Sequence, residues 1–281
     1  MRIELHSHTY YSDGSLSPKE VVNLAVKRKI KILAVTDHDT VAGVSAALKA
    51  TKGKNIKLIS GIEITSKVHC SNDPIHIIGL YIDINHPKVV EFTRTINASK
   101  KQRTLTKLNI INKRFNSNIT YEDLQKKTLG IPSTAHIAMV LLDKKIVKDI
   151  KEGITLMTKG GIANLETPDK LIHARESIYR IHEAGGVAIL AHLSAYKNEN
   201  KFITFNEQEE LIEELVSYGL DGLEIYIPDV TKKEIKFGLK MAKRYQLKLS
   251  GGSDFHDEKF IPQNKLGFLD IDKEKLTILK D

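Results

Sequence analysis

Apolar residues follow two alternating rhythms from Arg2 to Ile82. Short runs at Arg2–Leu5, Lys31–Val35, Lys57–Ser60 and Ile75–Ile82 have the length and density of buried strands. Between the early runs, VVNLAVKRK and AGVSAALKAT space their apolar residues as helices do. Ser17-Pro18-Lys19-Glu20 opens the first helix with an N-cap, a proline at the first helical position and an acidic first turn. Strands alternating with helices predict parallel βα units. The rhythm breaks from Glu91 to Leu165, a stretch rich in Lys, Asn, Thr and Ile. Helical spacing in EFTRTINASKKQRTLTKLNIINKRF and in TAHIAMVLLDKKIV predicts a mostly helical insertion there. The alternation resumes at Thr167-Pro168-Asp169. ESIYRIHEAGG reads as a helix stopped by Gly185-Gly186, VAILAH as a buried strand and NEQEELIEELVSYG as a helix. GLEIY follows as a strand, KKEIKFGLKMAKRYQ as a helix and LKLSGGSDFH as a strand, which makes seven strands. The expected organisation is an α/β barrel over residues 1–90 and 166–281, with residues 91–165 as an inserted cap.

Six of the apolar runs lead into metal-ligating residue types. They are IELHSH (His6, His8), LAVTDHD (Asp37, His38, Asp39), LISGIEI (Glu63), DPIHIIGLY (His76), VAILAHL (His192) and LSGGSDFH (Asp254, His256). Asp13, in the loop HSHTYYSDG, adds a further carboxylate. Chemistry in strand-and-helix folds collects where strands finish, so the pattern predicts one site. Residues two apart on a strand face the same way, so His6 and His8 can grip one ion, and Asp254 and His256 repeat the device. Carboxylates beside His38 suit the orientation of a ligating imidazole. Glu63 inside an apolar run costs desolvation unless paired or coordinated. Singly, TDHD is an ordinary helix cap and His76 or His192 an ordinary core histidine; six together predict a metal cluster. His69 is the rival to His76 as the ligand from that region.

Composition narrows the setting. The 281 residues are 41% hydrophobic and 28% charged, enough for a sizeable core, and no apolar run nears the ~20 residues that span a bilayer. Cys70 is the only cysteine, which excludes a disulfide framework and a thiolate zinc site. With no signal-like segment ahead of IELHSH, the expected location is the cytoplasm. The net charge of +8 favours anionic partners such as phosphates, nucleotides or nucleic acid.

HSHTYYSDG, TDHDT, GIEI, IHIIG, AILAH, GLEIY and GGSDFH together resemble the motifs of the PHP (polymerase and histidinol phosphatase) family, nearest to its stand-alone bacterial metal-dependent phosphoesterases. The resemblance covers nearly the whole chain and implies a distorted (β/α)7 barrel, TIM-like, with three divalent ions (manganese, zinc or iron) at the strand ends. It implies one ion on His6, His8, Glu63 and Asp254, a second on Asp13, His38 and His256, and a third on Glu63, His76 and His192. Metal-activated hydroxide would attack phosphorus in line, with Asp37 and His192 as candidates for proton handling. Relatives commonly carry Arg-Pro-His in the insertion near the substrate phosphate. Here the stretch is PSTAHIA, so Thr134 and Ala135 stand in for Arg and Pro while His136 remains. Ser133, Thr134, His136 and Arg103 are the expected substrate contacts.

The implied activity is hydrolysis of nucleotide phosphate esters, such as a 3′,5′-bisphosphate or the 5′ end of short RNA. Histidinol-phosphate hydrolysis and a polymerase-type proofreading nuclease are enzyme alternatives. A nucleic-acid-binding protein with a structural metal site is the alternative outside catalysis, resting on the basic stretch KKQRTLTKLNIINKRF. No membrane partner is expected, and the sequence leaves the oligomeric state open.

Overall fold

The computed structural model describes residues 1–71, 74–158, 160–163, 171–194, 204–259 and 261–279. Its strands are β1 (Arg2–Glu4), β2 (Ile30–Val35), β3 (Lys57–Lys67), β4 (Ile75–Leu80), β5 (Ile172–His173), β6 (Val187–Leu190), β7 (Gly222–Tyr226) and β8 (Lys248–Gly251). The helices are α1 (Pro18–Lys27), α2 (Ala42–Thr51), α3 (Pro87–Phe115), α4 (Tyr121–Gln125), α5 (Thr134–Asp143), α6 (Ile150–Thr155), α7 (Ala174–Glu183), α8 (Phe205–Ser217) and α9 (Lys232–Tyr245).

One sheet runs in the order β1-β2-β3-β4-β6-β7-β8, with β5 paired to the far end of β3. Beyond the ends of β1 and β8 the chain closes on itself: Ser7 bridges Phe255 in parallel, and the His8 N–H donates to the Phe255 carbonyl at 2.8 Å. Alternate strand residues pack together as in other closed sheets. Ile3, Ile32, Ala34, Ile59, Ile78 and Ile189 fall in one buried cluster, while helices α1, α2, α7, α8 and α9 contribute to clusters outside it. Ser17 caps α1 in a box with Glu20, and Gly185, at φ +73°, stands just beyond the end of α7.

Three expectations need correction. β3 does not stop at Ser60 but continues to Lys67, so Glu63 lies within the strand. β4 is antiparallel to both β3 and β6, so the barrel is not uniformly parallel. The reversal follows from the longer β3: only residues 68–74 remain before β4, a hairpin length too short for a parallel crossover. β5 is an eighth, two-residue strand whose brevity hid it from the hydrophobic pattern. The resumption of the rhythm at Thr167-Pro168-Asp169 lies outside the described residues.

The long helix α3 links two cores. Val89, Phe92 and Ile96 pack with β3, β4 and α7, whereas Leu108 and Ile111 pack with Leu124, Ile137, Leu141 and Met157 in a separate cluster. On the same buried face, between the two apolar ends, stand Lys100 and Thr104. Lys100 turns to the barrel mouth, where it pairs with Asp39, and Thr104 donates to the Pro132 carbonyl at 2.8 Å. Among the described residues no helix is long and apolar enough to cross a membrane.

Candidate metal centre

The closure of the barrel brings the two outermost ligand pairs together. β1 delivers His6 and His8, and the segment after β8 delivers Asp254 and His256. Glu4, fully buried, staples this seam: it accepts from the Ser253 N–H (2.7 Å), the Ser253 hydroxyl (2.6 Å), the Gly267 N–H (2.8 Å) and the His6 N–H (3.2 Å). Burial pushes the Glu4 carboxyl up to about 7 in spite of those donors. Gly252 is needed where the strands close, because a Cβ there would lie 2.5 Å from the His6 Cβ.

Glu63 stands at the centre with no exposure, and among the described residues neither oxygen receives a backbone N–H or hydroxyl. Oε1 lies 3.3 Å from His6 Nε2, 3.2 Å from His76 Nδ1 and 3.2 Å from His192 Nε2. Oε2 lies 3.2 Å from His8 Nε2 and 3.0 Å from His38 Nδ1. Asp254 Oδ1 closes the inner side at 3.2 Å from His6 Nε2 and 3.1 Å from His8 Nε2. The His6 and His8 Nε2 atoms face each other at 3.2 Å, and His76 Nδ1 faces His192 Nε2 at 3.0 Å. Lone pairs at such distances repel unless a proton or a cation lies between them. A single proton serves one such pair; an ion about 2 Å from each donor serves several at once. The donor set of imidazoles and carboxylates therefore fits divalent metal.

Three groups of donors emerge: His6, His8, Glu63 and Asp254; His8, Asp13, His38 and His256; and His38, Glu63 and His76. Glu63 Oε1, His76 Nδ1 and His192 Nε2 form a further, nearly equilateral triangle with sides of 3.0–3.2 Å. His76, second residue of the reversed strand β4, reaches the mouth opposite Thr65. His69 points elsewhere, its ring tilted at 45° against that of His173. Asp13 Oδ1 is 3.2 Å from His256 Nε2, and Oδ2 is 3.9 Å from His38 Nε2.

The charges are set by burial first and by neighbours second. Burial alone would raise Glu63, but His38, His6 and His76 outweigh it and hold the carboxyl well below its usual range. Asp13 is likewise held down, against burial, by His256 and His38. Burial lowers His38 to about 3, whereas Asp13 and Asp254 overcome burial at His256 and lift it to about 10. Asp39, His192 and Asp254 all hold left-handed backbone, at φ +60°, +31° and +52°.

Glu224 and Lys100 escaped the sequence reading, whereas Asp37 and Asp39 were expected beside His38. Glu224, on β7, lies 3.0 Å from His6 Nδ1 and accepts the His192 N–H at 2.7 Å. Its signal was the same as that of Glu63, a carboxylate in an apolar run (GLEIY). Asp37 accepts from the Thr9 N–H and hydroxyl (2.7 Å each) and from the Ser12 hydroxyl (2.6 Å). Both its oxygens are thereby engaged in holding the loop that carries Asp13. Asp39 pairs with Lys100 at 3.2 Å and accepts the Thr65 N–H at 3.0 Å.

On the insertion side, Ser133 caps α5 and Thr134 begins it. His136 Nδ1 accepts from the Ser133 N–H at 2.9 Å, which leaves the proton on Nε2. That Nε2 is buried beside the Ser12 backbone and Asp13, without a well-aligned acceptor among the described residues. Burial lowers His136 to about 4, so the ring is neutral. Arg103 is largely buried and feels Asp39, and Lys107 donates to the Thr134 hydroxyl and the Met157 carbonyl at 3.0 Å each.

A closed, partly reversed barrel with a mixed imidazole–carboxylate mouth defines a metal-site scaffold, and a model of the PHP domain matches residues 4–226. The chain belongs to the PHP domain family. It is 32% identical to a 5′-3′ exoribonuclease of Haemophilus influenzae, over 91% of this chain and 90% of that protein. It is 29% identical to a 3′,5′-nucleoside bisphosphate phosphatase of Chromobacterium violaceum, over 90% of this chain and 87% of that protein. Among solved structures, an amidohydrolase of Chromobacterium violaceum with bound sulfate and no metal superposes with a TM-score of 0.83 at 25% identity, covering 95% of this chain and 90% of that one.

Proposed function

We propose that this protein is a metal-dependent phosphoesterase that hydrolyses phosphate esters of nucleotides or short RNA. The observation that carries the reading is Glu63: a fully buried carboxylate that, among the described residues, has no backbone N–H or hydroxyl donor and is faced by the nitrogens of His6, His8, His38, His76 and His192. The kinship with an exoribonuclease and a nucleoside bisphosphate phosphatase gives the substrate class.

Three divalent ions (manganese, zinc or iron) fit the donors. His6, His8, Glu63 and Asp254 would hold the first, and Glu63, His76 and His192 the third. His8 turns Nε2 to the first group, and a neutral imidazole has one lone pair, so Asp13, His38 and His256 would hold the second. When bound, such ions lower the pKa of a coordinated water and neutralise phosphate charge. The chain's own residues supply the rest. Glu224 fixes the His6 tautomer so that Nε2 faces the cluster. Asp37 positions the Asp13 loop. The His136 Nε2–H, without a well-aligned acceptor among the described residues, donates to a phosphate oxygen. Arg103 and Lys107 supply positive charge beside Ser133 and Thr134, in place of the arginine missing from PSTAHIA.

A screen of phosphate esters with added Mn²⁺ or Zn²⁺ tests the reading. Nucleoside 3′,5′-bisphosphates and 5′-phosphorylated oligoribonucleotides should release phosphate or mononucleotides, and histidinol phosphate should react poorly. No turnover of any ester above that of a His6→Ala/His8→Ala/Asp254→Ala variant would overturn it.

A further inference from the structure

We propose that the helical insertion is a selective support of the metal centre, gripping through Thr128 and Lys100 the two loops that present Asp13 and His38. The inference rests on the metal-site reading above and adds which part of that site depends on the insertion.

The first grip is on the loop after His8. The Thr128 hydroxyl, almost wholly buried, lies 3.0 Å from the Tyr10 carbonyl and 2.9 Å from the Ser12 carbonyl, and it accepts the Gly130 N–H at 3.0 Å. The Leu129 N–H donates to the same Tyr10 carbonyl at 2.8 Å, and the Tyr10 hydroxyl donates back to the Lys126 carbonyl at 2.6 Å. The two backbones touch: a Cβ on Gly130 would sit 1.9 Å from the Tyr11 carbonyl oxygen. Residues 10–12 are thus bound on one side by Asp37 and on the other by residues 126–130, and Asp13 is the next residue in the chain.

The second grip is on TDHD. Lys100, from the polar middle of α3, pairs with Asp39 Oδ2 at 3.2 Å and reaches the His38 carbonyl at 3.4 Å. Its ammonium is largely buried, so the pair is weakly screened by solvent. Asp13 and His38 belong to one donor group, with His256. The group of His6, His8, Glu63 and Asp254 is braced instead by Glu4 and Glu224, which are barrel residues. One set of ligands therefore stands on the barrel alone, and the other needs the insertion.

The test uses the full chain, stripped with a chelator and titrated with Mn²⁺ or Zn²⁺, with calorimetry for affinity and elemental analysis for stoichiometry. The variants are Thr128→Val, Thr128→Ser and Lys100→Met; unfolding of the metal-free chain is followed by circular dichroism. Thr128→Val and Lys100→Met should each loosen one metal equivalent by about 10- to 100-fold, the range for partners that orient ligands, and leave the other equivalents unchanged. Thr128→Ser, which keeps the hydroxyl, should restore wild-type binding. Wild-type affinity for every equivalent in both disruptive variants would overturn the inference while leaving the metal site intact. Equal loosening of all equivalents with a lowered unfolding temperature would overturn it in favour of general destabilisation. If one variant fails to fold, the other tests its own grip independently. A wild-type chain that takes up no metal would overturn the metal-site reading itself.

Discussion

His6 sets Nδ1 3.0 Å from Glu224 Oε2 in a contact where neither side chain is exposed. The geometry assigns the proton to Nδ1 and turns the Nε2 lone pair toward Glu63 and Asp254. Glu224 also accepts the His192 N–H, so one carboxylate orients two ligands from different strands. Both bonds end on Oε2, and Oε1 lies 3.2 Å from the same His6 Nδ1, so in Glu224→Gln the NH₂ must face the His6 Nδ1–H from one position or both donors from the other. Metal affinity should fall by about 10- to 100-fold, the usual cost of losing such a partner. Competition with a calibrated chelator measures it, and an unchanged affinity would exclude the orienting role.

His136 offers a buried N–H with no well-aligned acceptor among the described residues. Asparagine at this position keeps an acceptor for the Ser133 N–H and deletes the Nε2–H. A hydrogen bond to a charged acceptor contributes about 1.5–3 kcal/mol, so His136→Asn should lower kcat/KM by roughly 10- to 100-fold. Metal content should stay at the wild-type level. Steady-state kinetics with elemental analysis separates the two effects, and a wild-type kcat/KM would remove His136 from substrate binding.

Lys107 gives a pH dependence with a definite sign. Burial, aided by Arg103, lowers its pKa from 10.5 to about 8 in the folded chain. Between these values the unfolded chain binds more protons than the folded one, so stability rises with pH across that window. Below pH 8 both states carry the charge, and the folded state bears the full burial cost. The rise should be on the order of 1–3 kcal/mol, and it should vanish in Lys107→Met. Urea unfolding at a series of pH values from 7.5 to 10.5 (roughly the interval in which lysine linkage acts) reads the slope directly. A slope equal in both proteins would assign it to other groups.

Much of the centre was legible because a charged or imidazole side chain in an apolar run is a costly exception. His6, His8, Glu63, His76 and His192 all announced themselves in that way, and Glu4 and Glu224 carried the same mark unread. The direction of β4 was harder, since an alternating pattern is the same read forwards or backwards. The missing observation was the true end of β3 at Lys67, which leaves room only for a hairpin. Contacts such as Thr128 with Tyr10, 118 residues apart, leave no trace in periodicity. The seam between β1 and β8 is equally non-local, yet the matching HSH and DFH motifs hinted at it.

Asp37 separates a positioning role from proton transfer. Its two oxygens accept three hydrogen bonds from Thr9 and Ser12, and asparagine, with one oxygen, can serve only the donors on one side. If Asp37 holds the loop, Asp37→Asn should lower kcat and weaken one metal equivalent, while the pH–rate profile keeps its shape. Were Asp37 the proton acceptor, the variant would lose the acidic limb of that profile with its metal content intact. Its burial points to the first outcome, because a carboxylate with both oxygens occupied must break a bond to the Asp13 loop before it can take a proton. Recording the pH–rate profile and the metal stoichiometry on the same preparation decides between the two roles.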